Sequence, residues 1–299
     1  MRRAAGALAL LLCACGGAGD VRQAPSTAAA PAAVATSAAP VSLLAALTVD
    51  GLLARTPAEG EVLVQMSVVR AHPLAPRLEP FVRAWPGWST TLGSITQHPV
   101  ADLEWIDVVG PKDATMERLA SRTRASFGDD VVDARLQSRS DGTLRVVLRP
   151  RPHLVVAVSS EAAASVEPVL RASPLVDPAV EPDEGLAVDF PHPHEMIPQI
   201  PDAARRLAVR VFARPGGAAE AFGEITCDDE AAAAATAATL RERASAVNDV
   251  MVRLLTRDLL GGLVVEAHGP LVELRLPATA EQADALVTLA AATLLPQGP

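Results

Sequence analysis

The chain has 299 residues, 26 Lys and Arg against 35 Asp and Glu, a formal net charge of −9, 49% hydrophobic residues and 3% aromatic ones. An acidic chain without a basic stripe argues against nucleic acid as a partner and against charge-driven docking on anionic lipid. So few aromatic rings also argue against the stacking groove of a sugar-cleaving enzyme.

At the N-terminus, Arg2 and Arg3 precede an apolar run over residues 4–14, and small residues follow. That order is the layout of a secretory signal peptide, and the run is too short to cross a bilayer. Its end, Leu12, Cys13, Ala14 and Cys15, resembles the lipobox of bacterial lipoproteins. The resemblance implies a signal peptide over 1–14, a diacylglycerol thioether on Cys15 and acylation of the newly exposed amine. The membrane is then a partner through covalent lipid, and no other cofactor is implied. Each buried CH₂ adds ~0.8 kcal/mol and a single chain anchors only marginally, so several chains give durable attachment. Gly16 rather than Asp after the lipidated cysteine implies a place in the cell envelope at the outer membrane. A redox or zinc pair of Cys13 and Cys15 does not fit this reading, because Cys13 leaves with the signal.

Residues 15–42 are rich in Ala, Pro, Ser and Thr with almost no large apolar side chain. Such a segment buries too little to offset its ordering entropy and reads as a disordered tether. About 25 residues at ~5–6 Å × √n reach about 25–30 Å from the anchor. A first α+β unit is expected over 43–173, an acidic, proline-containing linker over 174–184, and a second α+β unit over 185–296.

The two units share a pattern. EVLVQMSVV (61–69) and GLAVDF (185–190) both have strand character and lead to His72–Pro73 and His192–Pro193. LEWIDVV (103–109) matches AFGEITC (221–227), each followed by acidic residues and an expected Ala-rich helix. Residues 142–160 match 262–279, each pair of strands joined by a proline-containing turn and followed by a helix. Each unit is thus expected to be an antiparallel sheet with helices on one face, resembling ferredoxin-like sandwiches in tandem. LAVRVFA (207–213) is a further strand whose partner in the first unit is missing.

A single long helix is expected over 228–260, capped by Asp228 or Asp229 and ended by Gly261–Gly262. Leu240, Ala244, Val247, Met251, Leu254 and Leu255 recur on one face of it, the pattern of a core-packed stripe. Cys227 is the one cysteine in this body, so no internal disulfide forms there, and a buried structural thiol is expected.

Chemistry-bearing patterns are sparse. His192, His194 and Glu195 in FPHPHEMIP are the candidate metal ligands, two imidazoles and a carboxylate suited to zinc or copper. The zinc-protease spacing fails, because Pro198 stands where the second histidine belongs. The competing reading puts Pro193 at the first helical position with His192 at the cap. No nucleophile elbow, phosphate loop or dinucleotide fingerprint occurs. Trp85 and Trp88 flank Pro86–Gly87 and form a candidate partner-binding patch, with core cover as the alternative. The expectation is a non-catalytic, lipid-anchored envelope protein that binds or scaffolds, with an envelope protein as a possible partner. The alternatives are a metal-binding protein or hydrolase using the histidine segment, and a structural spacer.

Overall fold

The computed structural model describes residues 60–84, 93, 95–110, 118–125, 135–137, 144–160, 163–164, 167–168, 181–195 and 197–294. Cys15, the tether, and both Trp85 and Trp88 lie outside the described residues.

The described residues form an α+β fold on one large antiparallel sheet. Its eleven strands are β1 (Gly60–Gln65), β2 (Leu103–Gly110), β3 (Arg118–Thr123), β4 (Arg135–Gln137), β5 (Leu144–Arg151), β6 (Leu154–Ser159), β7 (Glu184–Pro191), β8 (Ala204–Arg214), β9 (Ala218–Cys227), β10 (Val264–His268) and β11 (Leu271–Ala278). The spatial order is β10-β11-β9-β8-β7-β1-β2-β3-β6-β5-β4. Six helices accompany them among the described residues: α1 (Met66–Ala71), α2 (Ala75–Ala84), α3 (Pro99–Asp102), α4 (Glu230–Val247), α5 (Val250–Thr256) and α6 (Ala280–Leu294). No described helix is long and apolar enough to cross a membrane.

β1 is central because its sequence suits both faces. Glu61 to Gln65 are all buried, the property of a strand covered on two sides. Val62 and Val64 point to the helix side and join a cluster with Met66, Leu103, Ile106, Val188 and Phe190. Leu63, one residue out of phase, faces the other side and is 1% exposed. β1 pairs β2 on one edge and β7 on the other, so the chain's two halves lie in one continuous sheet rather than in two.

A second cluster fills the far half. Leu207, Ile225, Val265 and Val272 of the sheet pack against Ala233, Ala237 and Leu240 of α4, with Ile197 and Ile200 closing the end. Val209 packs against both clusters, so the apolar interior continues across the seam. On the opposite face of this half the register sets out charged residues in ion pairs. Arg206 binds Asp189, Arg210 binds Glu181 at 2.8 Å, and Arg214 and Arg275 both hold Glu220. Alternation of apolar and charged residues along β8 is what separates these faces.

The expected helix over 228–260 is two helices. Asp229 caps α4, its carboxylate accepting from the Ala232 backbone N–H at 2.7 Å, while Asp228 pairs instead with Arg205. α4 ends at Val247, and Asp249 starts α5 by accepting from the Val252 N–H at 2.9 Å. The break turns the stripe outward: Leu240 is buried, but Met251 is 62% and Leu254 76% exposed. Leu255 and Val250 are exposed with them, so this half of the expected core stripe is surface.

Two further expectations are corrected. β1 stops at Gln65, and α1 takes over Met66–Ala71 from what reads as strand in the sequence. Arg118–Thr123, where the LEWIDVV pattern called for a helix, is strand β3. β2 consequently occupies the second place of its half-sheet whereas β9 occupies the third, so the strands matched at 103–109 and 221–227 hold different positions.

Candidate functional site

The feature with the capacity to bind is a cavity of about 290 Å³ between the helices and the sheet. That places it at the lower end of the ~300–1,000 Å³ of small-ligand sites. Val64 of β1, Leu186 of β7 and Val211 of β8 contribute its floor, together with Ala221 of β9 and Leu276 of β11. Val68 and Val69 of α1 and Leu78, Phe81 and Val82 of α2 close one side. Ala283, Leu286, Val287 and Ala290 of α6 close the other.

Small residues create the space. Gly185, Ala219, Ala221, Ala278, Ala283 and Ala290 stand where larger side chains would fill the interior. Ala283 and Ala290 recur two turns apart on α6 and are 7% and 3% exposed, so the helix is close to the sheet yet leaves a void. Across the roof, α2 and α6 are tied by an exposed clasp in which the Arg77 guanidinium binds the Asp284 carboxylate and the Thr288 hydroxyl. An exposed pair of this kind contributes little stability, roughly 0–1 kcal/mol, so it opens at low cost.

Two lining residues are of a polar type, His72 and Glu220, and the Glu220 carboxylate belongs to the ion pairs on the opposite face of the sheet. Glu220 is satisfied: Oε2 accepts from Arg214 at 2.8 Å and Oε1 from Arg275 at 2.6 Å. Burial acts to raise its carboxyl pKa, but the hydrogen bonds from Arg275 and Arg214 outweigh it and hold the pKa below the usual value. His72 ends α1, and its Nδ1 accepts from the Leu74 backbone N–H at 3.2 Å. Its Nε2 is buried and makes no hydrogen bond. Glu184, beside Gly185 of the lining, is also buried, and desolvation raises its carboxyl pKa against the lowering effect of a hydrogen bond from the Glu181 N–H.

The histidine segment lies elsewhere. Pro193–Glu195 is a short 3₁₀ turn with Pro193 as its first residue, and His192 precedes it at φ 48°. The His192 and His194 rings sit edge to face, 6.3 Å between centroids. Among the described residues no group of three or more His, Cys, Asp or Glu side chains is placed to hold a metal ion, so His192, His194 and Glu195 do not come together as such a group. Pro193, Ile197 and Ile200 are buried and use the segment to close one end of the core. Cys227 is buried in the same cluster, its thiol 3.7 Å from the Thr236 hydroxyl.

The cavity is not legible as a pattern of functional residues, because apart from His72 and Glu220 its lining is apolar. The nearest signal is the small-residue spacing of Ala283 and Ala290 on one face of α6.

No protein-family model matches the chain, and no curated protein is significantly similar to it. Among solved structures it is similar to TP0453 in three crystal forms. Form I has 13% identity and a TM-score of 0.40, covering 78% of this chain and 94% of that one. Form III has 10% identity and a TM-score of 0.42, covering 77% and 94%. Form IV has 11% identity and a TM-score of 0.41, covering 77% and 92%.

Proposed function

We propose that this protein is a non-catalytic binding module of the cell envelope, held by lipid on Cys15 and taking an apolar ligand into the cavity between the helices and the sheet. The observation that carries the reading is the lining: about 290 Å³ of space, apolar on every contributing element, with no charged side chain left unpaired in it. A catalytic site gathers groups with perturbed protonation or a free nucleophile around its substrate. This cavity offers an apolar volume beside a single histidine, which is the composition of a carrier or sensor site.

The lipobox resemblance supports a position in the bacterial envelope, at the outer membrane, with the tether giving the module reach from the bilayer. An anchored binder of aliphatic molecules meets them near the surface to which its own acyl chains are fixed. Membrane attachment and an apolar cavity therefore support one another.

The sheet order supports a finer point, that the body is a duplicated α+β unit. β1-β2-β3 and β7-β8-β9 are each a three-strand meander, and each third strand then pairs the later strand of a hairpin, β6 or β11. The two copies are joined at their first strands. In this reading β8 is the counterpart of β2, which supplies the partner that LAVRVFA lacks in the sequence pattern.

Two measurements test the proposal. Mass spectrometry of the N-terminal peptide from the native envelope should find the mature chain starting at an acylated Cys15. Solvent extraction of the purified protein should release an aliphatic compound in roughly equal molar amount. A mature start elsewhere removes the anchor, and an extract without such a compound removes the carrier reading.

A further inference from the structure

We propose that the occupant of the cavity is an aliphatic chain ended by a carbonyl or carboxylate oxygen, and that the His72 Nε2–H donates a hydrogen bond to that oxygen. This rests on the apolar-ligand reading above and adds the polarity of the ligand's head.

The hydrogen bonding of the turn after α1 fixes which nitrogen is the donor. The Leu74 backbone N–H donates to Nδ1 at 3.2 Å, so that nitrogen presents its lone pair. In the neutral imidazole the proton then sits on Nε2. That atom is buried and has no acceptor, while the residue carrying it is part of the cavity lining. A buried donor without an acceptor is costly and rare, and one at a ligand cavity marks where an acceptor belongs.

The charge around the lining sets the sign. Glu220 enters the lining from β9, but its carboxylate is on the opposite face of the sheet, where Arg214 and Arg275 take both oxygens, so it offers a cationic head no free negative charge. A phosphate, with two negative charges and several acceptor oxygens, calls for several donors, and this lining supplies one. One donor suits one oxygen. The narrow apolar volume suits the chain behind it. Free fatty acids and ester-linked acyl chains share this chemistry.

The test uses the full acylated chain in native membranes and a dodecanoic acid analogue with a photoactivatable diazirine along its chain. Label should appear on peptides of α1, α2 and α6. Dodecanoic acid or methyl dodecanoate should compete about tenfold better than dodecane, the loss expected when a buried donor is left unmet. Competition by acid and ester alike means that a carbonyl oxygen suffices, as in lipid-bound acyl chains; competition by the acid alone specifies free fatty acid. His72→Phe should erase the preference over dodecane while label still reaches α6, and His72→Gln, which restores an N–H donor, should retain it. Equal competition by dodecane in the wild type, or an undiminished preference in His72→Phe, overturns the role of His72 while leaving the cavity reading in place. Absence of label from all three helices overturns the cavity reading itself.

Discussion

Val62 stands directly opposite Val188 across the antiparallel seam of β1 and β7, and both are buried in the cluster beneath the helices. This pair joins the two halves through side chains as well as through the backbone ladder. The halves should therefore unfold together: urea denaturation is expected to give one transition by both far-ultraviolet circular dichroism and fluorescence. Val62→Ala or Val188→Ala should lower the unfolding free energy by about 2 kcal/mol without splitting that transition. Two separated transitions would show that the seam is not a shared core.

Gly60 sets how closely the seam can pack. A Cβ there would collide with Phe190 Cδ1, and that ring is itself buried in the same cluster. Gly60→Ala should destabilise by about 1–3 kcal/mol, the cost of overpacking. Gly60→Ala with Phe190→Leu should recover part of the loss, measurable as a coupling in a double-mutant cycle.

The break between α4 and α5 makes opposite predictions for cap and stripe. Asp249→Ala removes the acceptor for the Val252 N–H and should cost about 1 kcal/mol. Leu254→Ser, at a position 76% exposed, should change stability by no more than about 0.5 kcal/mol. A loss of several kcal/mol at Leu254 would instead support one continuous, core-packed helix.

Two buried glutamates give stability of opposite pH dependence. Glu184 has its pKa raised above the ordinary 4.5 by desolvation, so its native form keeps a proton longer than the unfolded chain does. Its favourable contribution is present below that ordinary value and is lost as pH rises through the raised one. Glu184→Gln should thus gain relative stability over the wild type as pH rises from acid into that window. Glu220 has its pKa lowered below 4.5 despite burial, through the Arg275 and Arg214 hydrogen bonds. Its contribution is present above the ordinary value and is lost as pH falls through the lowered one. Glu220→Gln should be less stable than the wild type at neutral pH, with the gap closing in acid. Thermal unfolding across pH reads both signs.

The parts of this fold that were legible are those where one physical signal dominates. Strands β7 to β11 alternate or run apolar between clear turn residues, and the Pro270 and Pro152 turns mark both hairpins. A cap at Asp228 or Asp229 was legible because short acidic side chains precede an alanine run, and Asp229 is the one that caps. β3 was not, because RLASRT mixes strong helix formers into a strand fixed by its neighbours β2 and β6. The α4–α5 break hides in Asn248–Asp249, which reads as a polar turn of one helix until the second cap is seen. The cavity was illegible because it consists of absent side-chain volume: alanine at 283 and 290 looks like core until the helix and sheet are placed.

The most direct test of the central claim is native mass spectrometry of the full chain from envelope membranes, beside Ala283→Phe, which places a ring in the cavity. The wild type should carry one aliphatic ligand per chain. The variant should lose it while keeping a cooperative thermal transition. Equal ligand on both proteins, or none on the wild type, would contradict the account.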